Sequence, residues 1–170
     1  IEINHIVDDG TNLNDIMHEL AQSIIDNYAP TKASINYINA DTQLRDNFKQ
    51  AINNARNVLN KTKGQNLDFE AVDALKDAIS ETKDSLNGIE RLKAAKLKAD
   101  KFIEGLNHIN KAQLTHALKD VASTDSLTKL SRLINKSMNL DDAMNALKDS
   151  LINNAAPVQA SSNYINADND

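Results

Sequence analysis

Apolar residues recur at intervals of three and four along almost the whole chain, the spacing that lines one face of a helix. Leu13, Ile16/Met17, Leu20 and Ile24 mark a first helix, with Asn12 as its N-cap. Ala29-Pro30 should end it, since the residue before a proline is pushed out of the helical region. Leu44, Phe48, Ala51/Ile52, Ala55 and Val58/Leu59 give a second helix with Asp41 near its start, and Gly64 offers a left-handed stop. Phe69, Val72, Leu75, Ile79 and Leu86 give a third, between Asp68 and Gly88. Three such stripes make one antiparallel three-helix bundle.

A second set follows with almost no linker. Leu92, Ala95, Ala99, Phe102/Ile103 and Leu106 mark the fourth helix. The fifth opens at Asn110, where Gln113 completes a capping box and Ile109 is placed to staple onto Leu114. Ser123-Thr124-Asp125 breaks it and caps a sixth helix carrying Leu127, Leu130 and Leu133/Ile134. No Gly or Pro lies between Leu127 and Ala156, so this helix is expected to run on past Asn139 with continuity or only a mild bend.

The strongest single signal is internal. Asn12–Asp41 returns 127 residues later as Asn139–Asp168, with 18 of 30 positions identical. The best-kept letters are Asn36-Tyr37-Ile38-Asn39-Ala40-Asp41 against Asn163-Tyr164-Ile165-Asn166-Ala167-Asp168. Such a period marks a window on a tandem array. The reading is an all-α, elongated rod of tandem three-helix bundles, monomeric. Residues 1–11 are the tail of a preceding repeat, 12–88 a first bundle, 89–137 a second, and 138–170 the incomplete opening of the next. Both ends, lacking neighbours, should be poorly ordered or abnormally packed. Asn36, Tyr37, Asn39 and Asp41, with Asn163, Tyr164, Asn166 and Asp168, form the structural repeat motif. Each tyrosine is expected to pack over a bundle end, near Leu20 or Leu75 in the first copy, rather than to meet a ligand.

Composition narrows the function. A net charge of −5 lacks the basic footprint of a general nucleic-acid binder. The absence of cysteine excludes disulfides and thiolate metal sites, and no apolar run reaches membrane-spanning length. His5, His18, His108 and His116 show no helical pairing, so no metal or other cofactor is expected. No nucleophile–base pattern or phosphate-binding glycine loop occurs, and the chain reads as no enzyme. Arg91, Lys93, Lys96, Lys98 and Lys101 gather charge on the fourth helix; a solvated surface is the ordinary reading and contact with an acidic partner the sharper one.

Residues 12–88 resemble the FIVAR module of bacterial surface proteins. The likeness lies in Leu13-x-x-Ile16-Met17, Tyr37 with Leu44, Ala51-Ile52, Ala55 and Leu59, then Val72-x-Ala74-Leu75 with Ile79 and Leu86. The next stretch is similar to the GA module, through Leu92-x-x-Ala95-Lys96-x-x-Ala99 and Ala117–Leu130. A FIVAR–GA pair at this period looks like the repeat region of giant staphylococcal cell-wall-associated adhesins. That resemblance implies a cell-surface location on a Gram-positive bacterium, a part in adhesion and virulence, and host matrix proteins such as fibronectin as partners. A purely structural stalk of the cell envelope is the alternative. GA modules elsewhere bind albumin, but where albumin binders carry tyrosines early in their second helix this chain has Gln113 and Leu114, so albumin binding is not carried over.

Overall fold

The computed structural model describes residues 2–167, with side-chain surroundings from Gly10 onward. The described residues form eight helices and no strand: α1 (Glu2–Ala33), α2 (Ile35–Asn39), α3 (Thr42–Val58), α4 (Phe69–Asp84), α5 (Gly88–Glu104), α6 (Lys111–Ser123), α7 (Leu127–Gln159) and α8 (Ser162–Ile165). Two compact units emerge, residues 1–92 and 93–170, and the change-over falls inside α5. The poor order or abnormal packing expected of the two ends falls partly on Ile1 and residues 168–170, outside the described residues.

In the first unit α1, α3 and α4 surround a core of Ile16, Leu20, Phe48, Ile52, Val72 and Ile79. These are the stripe positions of the three sequence-predicted helices, so the 3.6-residue period located the buried faces. Lys76 on α4 pairs with Glu19 on α1 at 2.8 Å, and Lys83 reaches Asn27 Oδ1 at 2.8 Å. Exposed pairs of this kind stabilise by at most about 1 kcal/mol, so burial dominates.

Three boundaries differ from expectation. Asn12 caps nothing: it lies inside α1, which already runs from Glu2. An N-cap requires the chain to arrive extended, and here it arrives as helix. Pro30 does not end α1 either, for the helix continues to Ala33. Proline deletes one N–H and crowds the carbonyl four residues back. Here that carbonyl belongs to Asp26, on the exposed side of the last turn, where water can replace the lost donor. Gly64 is no left-handed stop, because none of the described glycines has a positive φ. The helix ends earlier, at a right-handed Leu59, and Asn60 Oδ1 accepts from the backbone N–H groups of Thr62 and Lys63. A Cβ at Gly64 would sit 2.6 Å from the carbonyl oxygens of Val58 and Asn60, so close backbone approach explains the glycine.

In the second unit α5, α6 and α7 share a smaller core of Ala99, Ile103, Val121 and Leu130. The capping box at α6 is complete: Asn110 Oδ1 accepts from Gln113 N at 2.9 Å, and Gln113 Oε1 accepts from Asn110 N at 2.8 Å. At the other end of α6 the Lys96 ammonium donates to the Ala122 carbonyl at 2.7 Å, satisfying one of the last carbonyls of that helix. The cap of α7 is Ser126, one residue beyond the expected Ser123–Asp125, while Asp125 pairs with Lys129 at 2.8 Å. From there α7 runs as one helix of 33 residues through Asn139, so the continuity expected past that residue is present. α1 is its counterpart in the first copy, and both carry a proline in the last turn.

Candidate functional site

The most repeated letters of the chain build a clasp at the α4–α5 joint. Ser34 closes α1 and opens α2: its hydroxyl donates to the Thr31 carbonyl at 2.6 Å and accepts from Tyr37 N at 3.1 Å. This cap starts the five-residue α2, an element the sequence pattern did not reveal because one helical turn has no periodicity to detect. The turn aims Tyr37 inward, where it is buried and meets Phe48 edge-on, centroids 6.0 Å apart and planes at 70°. The tyrosine was expected near Leu20 or Leu75; its ring partner is Phe48 on α3.

The polar letters of the motif face the other way, toward the start of α5. Asn36 bridges the joint, its Nδ2 donating to the Leu86 carbonyl at 3.1 Å and its Oδ1 accepting from Ile89 N at 3.0 Å. Asn39 is buried, donates its Nδ2 to the Ile35 carbonyl at 2.9 Å, and offers its own carbonyl to Arg91 Nη1 at 2.7 Å. Asp41 stands at the N-cap of α3 without capping it by its side chain. Its carboxylate takes Asn87 Nδ2 at 2.7 Å and Arg91 Nε at 3.1 Å, and its N–H donates to Asn87 Oδ1 at 3.1 Å. Gly88 completes the fit. A Cβ there would collide with the Asn36 carbonyl oxygen and lie 2.6 Å from Ala40 N, so only glycine admits α2 this close. Sequence reading found the repeated letters but not their partners Asn87, Gly88 and Arg91, which lie some fifty positions away.

The second copy of the motif repeats the backbone but not the surroundings. Ser161 caps α8 by accepting from Tyr164 N at 3.2 Å, as Ser34 does for Tyr37. Asn163, Tyr164 and Asn166 are exposed, and Asp168 lies outside the described residues.

The basic residues of α5 do not form one face. At roughly 100° per residue, positions 91, 93, 96, 98 and 101 are spread round the helix. Arg91 is committed to the clasp and Lys96 to the Ala122 carbonyl; Lys93, Lys98 and Lys101 are exposed. In the second unit the α5–α6 loop is tied to α7 by Asp141. Its Oδ1 accepts from His108 N and, at 3.1 Å, from Ile109 N, while its Oδ2 lies 3.0 Å from His108 Nδ1. Burial pushes the Asp141 carboxyl up, but the donors of His108 and Ile109 together hold it below its ordinary value. A small apolar groove of about 240 Å³ lies between α6 and α7, with Gln113, Leu133 and Leu140 on its walls. Gln113 is held by the capping box and Leu114 packs on the core, so both side chains serve the bundle. Among the described residues no group of three or more His, Asp or Glu side chains could hold a metal ion, and no helix is long and apolar enough to cross a membrane.

A bundle closed by a turn that also grips the next helix defines a helical tandem-repeat module. Residues 17–87 and 143–170 match the FIVAR domain and residues 89–143 the GA module; the chain belongs to the FIVAR family and carries a GA module between its two FIVAR segments. It is 41% identical over 98% of its length to the extracellular matrix-binding protein EbhA of Staphylococcus aureus strain Mu3, and 40% identical over 98% to the extracellular matrix-binding protein ebh of strain USA300. It spans 2% of the length of each. A crystal structure of an EbhA domain from Staphylococcus aureus superposes with a TM-score of 0.77 at 30% identity, covering 89% of this chain and 59% of that one. A second crystal structure, of a Staphylococcus aureus domain described as similar to streptococcal adhesins, gives 0.61 at 26% identity, covering 74% and 98%. The two curated relatives are named as extracellular matrix-binding proteins.

Proposed function

We propose that this chain is one repeat of a cell-wall-associated bacterial surface adhesin, extending the molecule and presenting weak binding surfaces whose avidity comes from many copies. Residues 12–88 act as the FIVAR-type bundle and 89–137 as the GA-type bundle, with 1–11 and 138–170 belonging to neighbouring repeats. Fibronectin is the matrix partner to test first, since the relatives are named for matrix binding. The observation that supports the array reading is the reuse of one element: Asn12 and its equivalent Asn139 both lie inside long continuous helices, α1 of 32 residues and α7 of 33.

A second reading, a stalk with no ligand of its own, draws support from the clasp. In the first copy the residues kept most faithfully are engaged inside the molecule, which is what a spacer requires. Binding of the 170-residue chain to immobilised fibronectin, against a variant with Lys93, Lys98 and Lys101 changed to Glu and against an unrelated helical bundle, separates the two. Saturable binding that the bundle control lacks supports the adhesin reading, and signal no higher than that control supports the stalk.

A further inference from the structure

Of the four glycines in the chain only Gly88 follows an asparagine, and the Asn87-Gly88 pair sits in the middle of the clasp. Both residues are fixed there by what they touch. A side chain at 88 would strike the Asn36 carbonyl oxygen and lie 2.6 Å from Ala40 N, so glycine is required. Asn87 Oδ1 accepts from Asp41 N at 3.1 Å while its Nδ2 donates to Asp41 Oδ2 at 2.7 Å. A primary amide supplies that acceptor and donor from two separate atoms, which neither a carboxylate nor a hydroxyl does. The joint therefore demands a dipeptide whose side-chain amide is prone to cyclise on the next backbone nitrogen, since glycine puts no Cβ in the way.

We propose that Asn87 is a site of spontaneous modification, a deamidation held in check by the closed clasp and irreversible once it has occurred. The reaction needs only water. The Gly88 nitrogen attacks Asn87 Cγ, a five-membered imide forms, and Nδ2 leaves as ammonia with the Gly88 amide proton. Water then opens the ring. Attack at Cγ restores the main chain with aspartate at 87; attack at the main-chain carbonyl routes the chain through the side chain as isoaspartate. While the clasp is closed, Cγ cannot turn toward Gly88 N without breaking both bonds to Asp41, and Gly88 itself is buried. Conversion thus proceeds from the locally open state.

Either product works against reclosure. A carboxylate at 87 has no proton to donate and meets Asp41 where Nδ2 now lies 2.7 Å from Oδ2. Arg91 Nε does not relieve the pair, being engaged 3.1 Å away on the other Asp41 oxygen. Isoaspartate adds a main-chain carbon ahead of Gly88 and so moves Ile89 N off Asn36 Oδ1, its acceptor at 3.0 Å. The clasp thereby keeps a record of its own opening. None of this depends on the adhesin reading.

The test is peptide-mapping mass spectrometry of the 170-residue chain incubated at neutral pH, folded or in urea, scoring aspartate and isoaspartate at every asparagine. In urea Asn87 should convert first. In the folded chain its rate should fall at least about tenfold, the factor that a charge-assisted hydrogen bond supplies. Asp41→Ala should restore most of that factor. Arg91→Gln, which leaves both Asn87 bonds in place, should restore less, and it decides the matter where Asp41→Ala does not fold. Separately, Asn87→Asp should speed exchange of the Ile89 amide about tenfold. Folded conversion as fast as unfolded, no rise in whichever variants fold, or an Ile89 amide equally protected in Asn87→Asp overturns the proposal.

Discussion

The two units solve the same problem with different means. Among the described residues the first buries twelve in one cluster, including the Tyr37–Phe48 ring pair, whereas the second buries four, all aliphatic. Neither aromatic ring of the second unit, Phe102 or Tyr164, is buried. What the second unit lacks in core it offsets at its joints: a full capping box, the Lys96 bond to the end of α6, and Asp141 gripping three donors of the α5–α6 loop. The first unit is therefore held mainly by apolar burial, which is not screened by salt, and the second relies more on polar ties that pH and single caps can remove. A small bundle can reach adequate stability by either route.

The comparison breaks most sharply at Tyr37. Tyr37→Ala removes a buried ring and should destabilise the first unit by about 3–5 kcal/mol while leaving the second near its original melting temperature. Two resolved thermal transitions, only one of which moves, are the expected result; a joint shift of both would mean that the units melt as one. Asn139→Pro comes next. An interior proline costs about 3 kcal/mol, so α7 should lose helix around Asn139 and the tie through nearby Asp141 should loosen. Circular dichroism with amide exchange on residues 135–145 reads this, and unchanged protection there would mean that α7 does not act as one helix in solution.

Gly88→Ala tests the clasp without touching either core. The new methyl group forces α2 away from α5, at about 1–3 kcal/mol for an overpacked site, and should speed exchange at the Ile89 amide bound by Asn36. Asn110→Ala removes one half of the capping box and should lower the second unit by about 1 kcal/mol, leaving the first unaltered. The smallest effect is acid sensitivity. The Asp141 carboxyl is held below its ordinary value in the folded state, so its contribution is present above its unfolded pKa of about 4 and is lost as pH falls through the lower folded value. The second unit of Asp141→Asn should show a flatter stability profile below pH ~4; an unchanged slope would assign the acid response to other carboxylates.

Helix faces, the internal repeat and the α6 capping box were legible in the amino-acid order because each depends on residues within a few positions or on direct recurrence. Ile16, Leu20, Phe48, Ile52, Val72, Ile79, Ile103, Val121 and Leu130 declare themselves by spacing, and all are buried. What the tertiary structure alone decided is how ends and joints close. Asn12 carries a capping residue's chemistry but sits mid-helix, since what arrives before it is already helical. Asp41 stands at a cap position, yet its carboxylate turns to Asn87 and Arg91 once folding brings α5 within reach. Leu20 and Leu147 are the same letter in the same repeat, and only the presence of α3 and α4 beside one of them makes it core. Burial and polar pairing belong to neighbours brought from far along the chain, and a local pattern can state which groups need a partner but not which partner arrives.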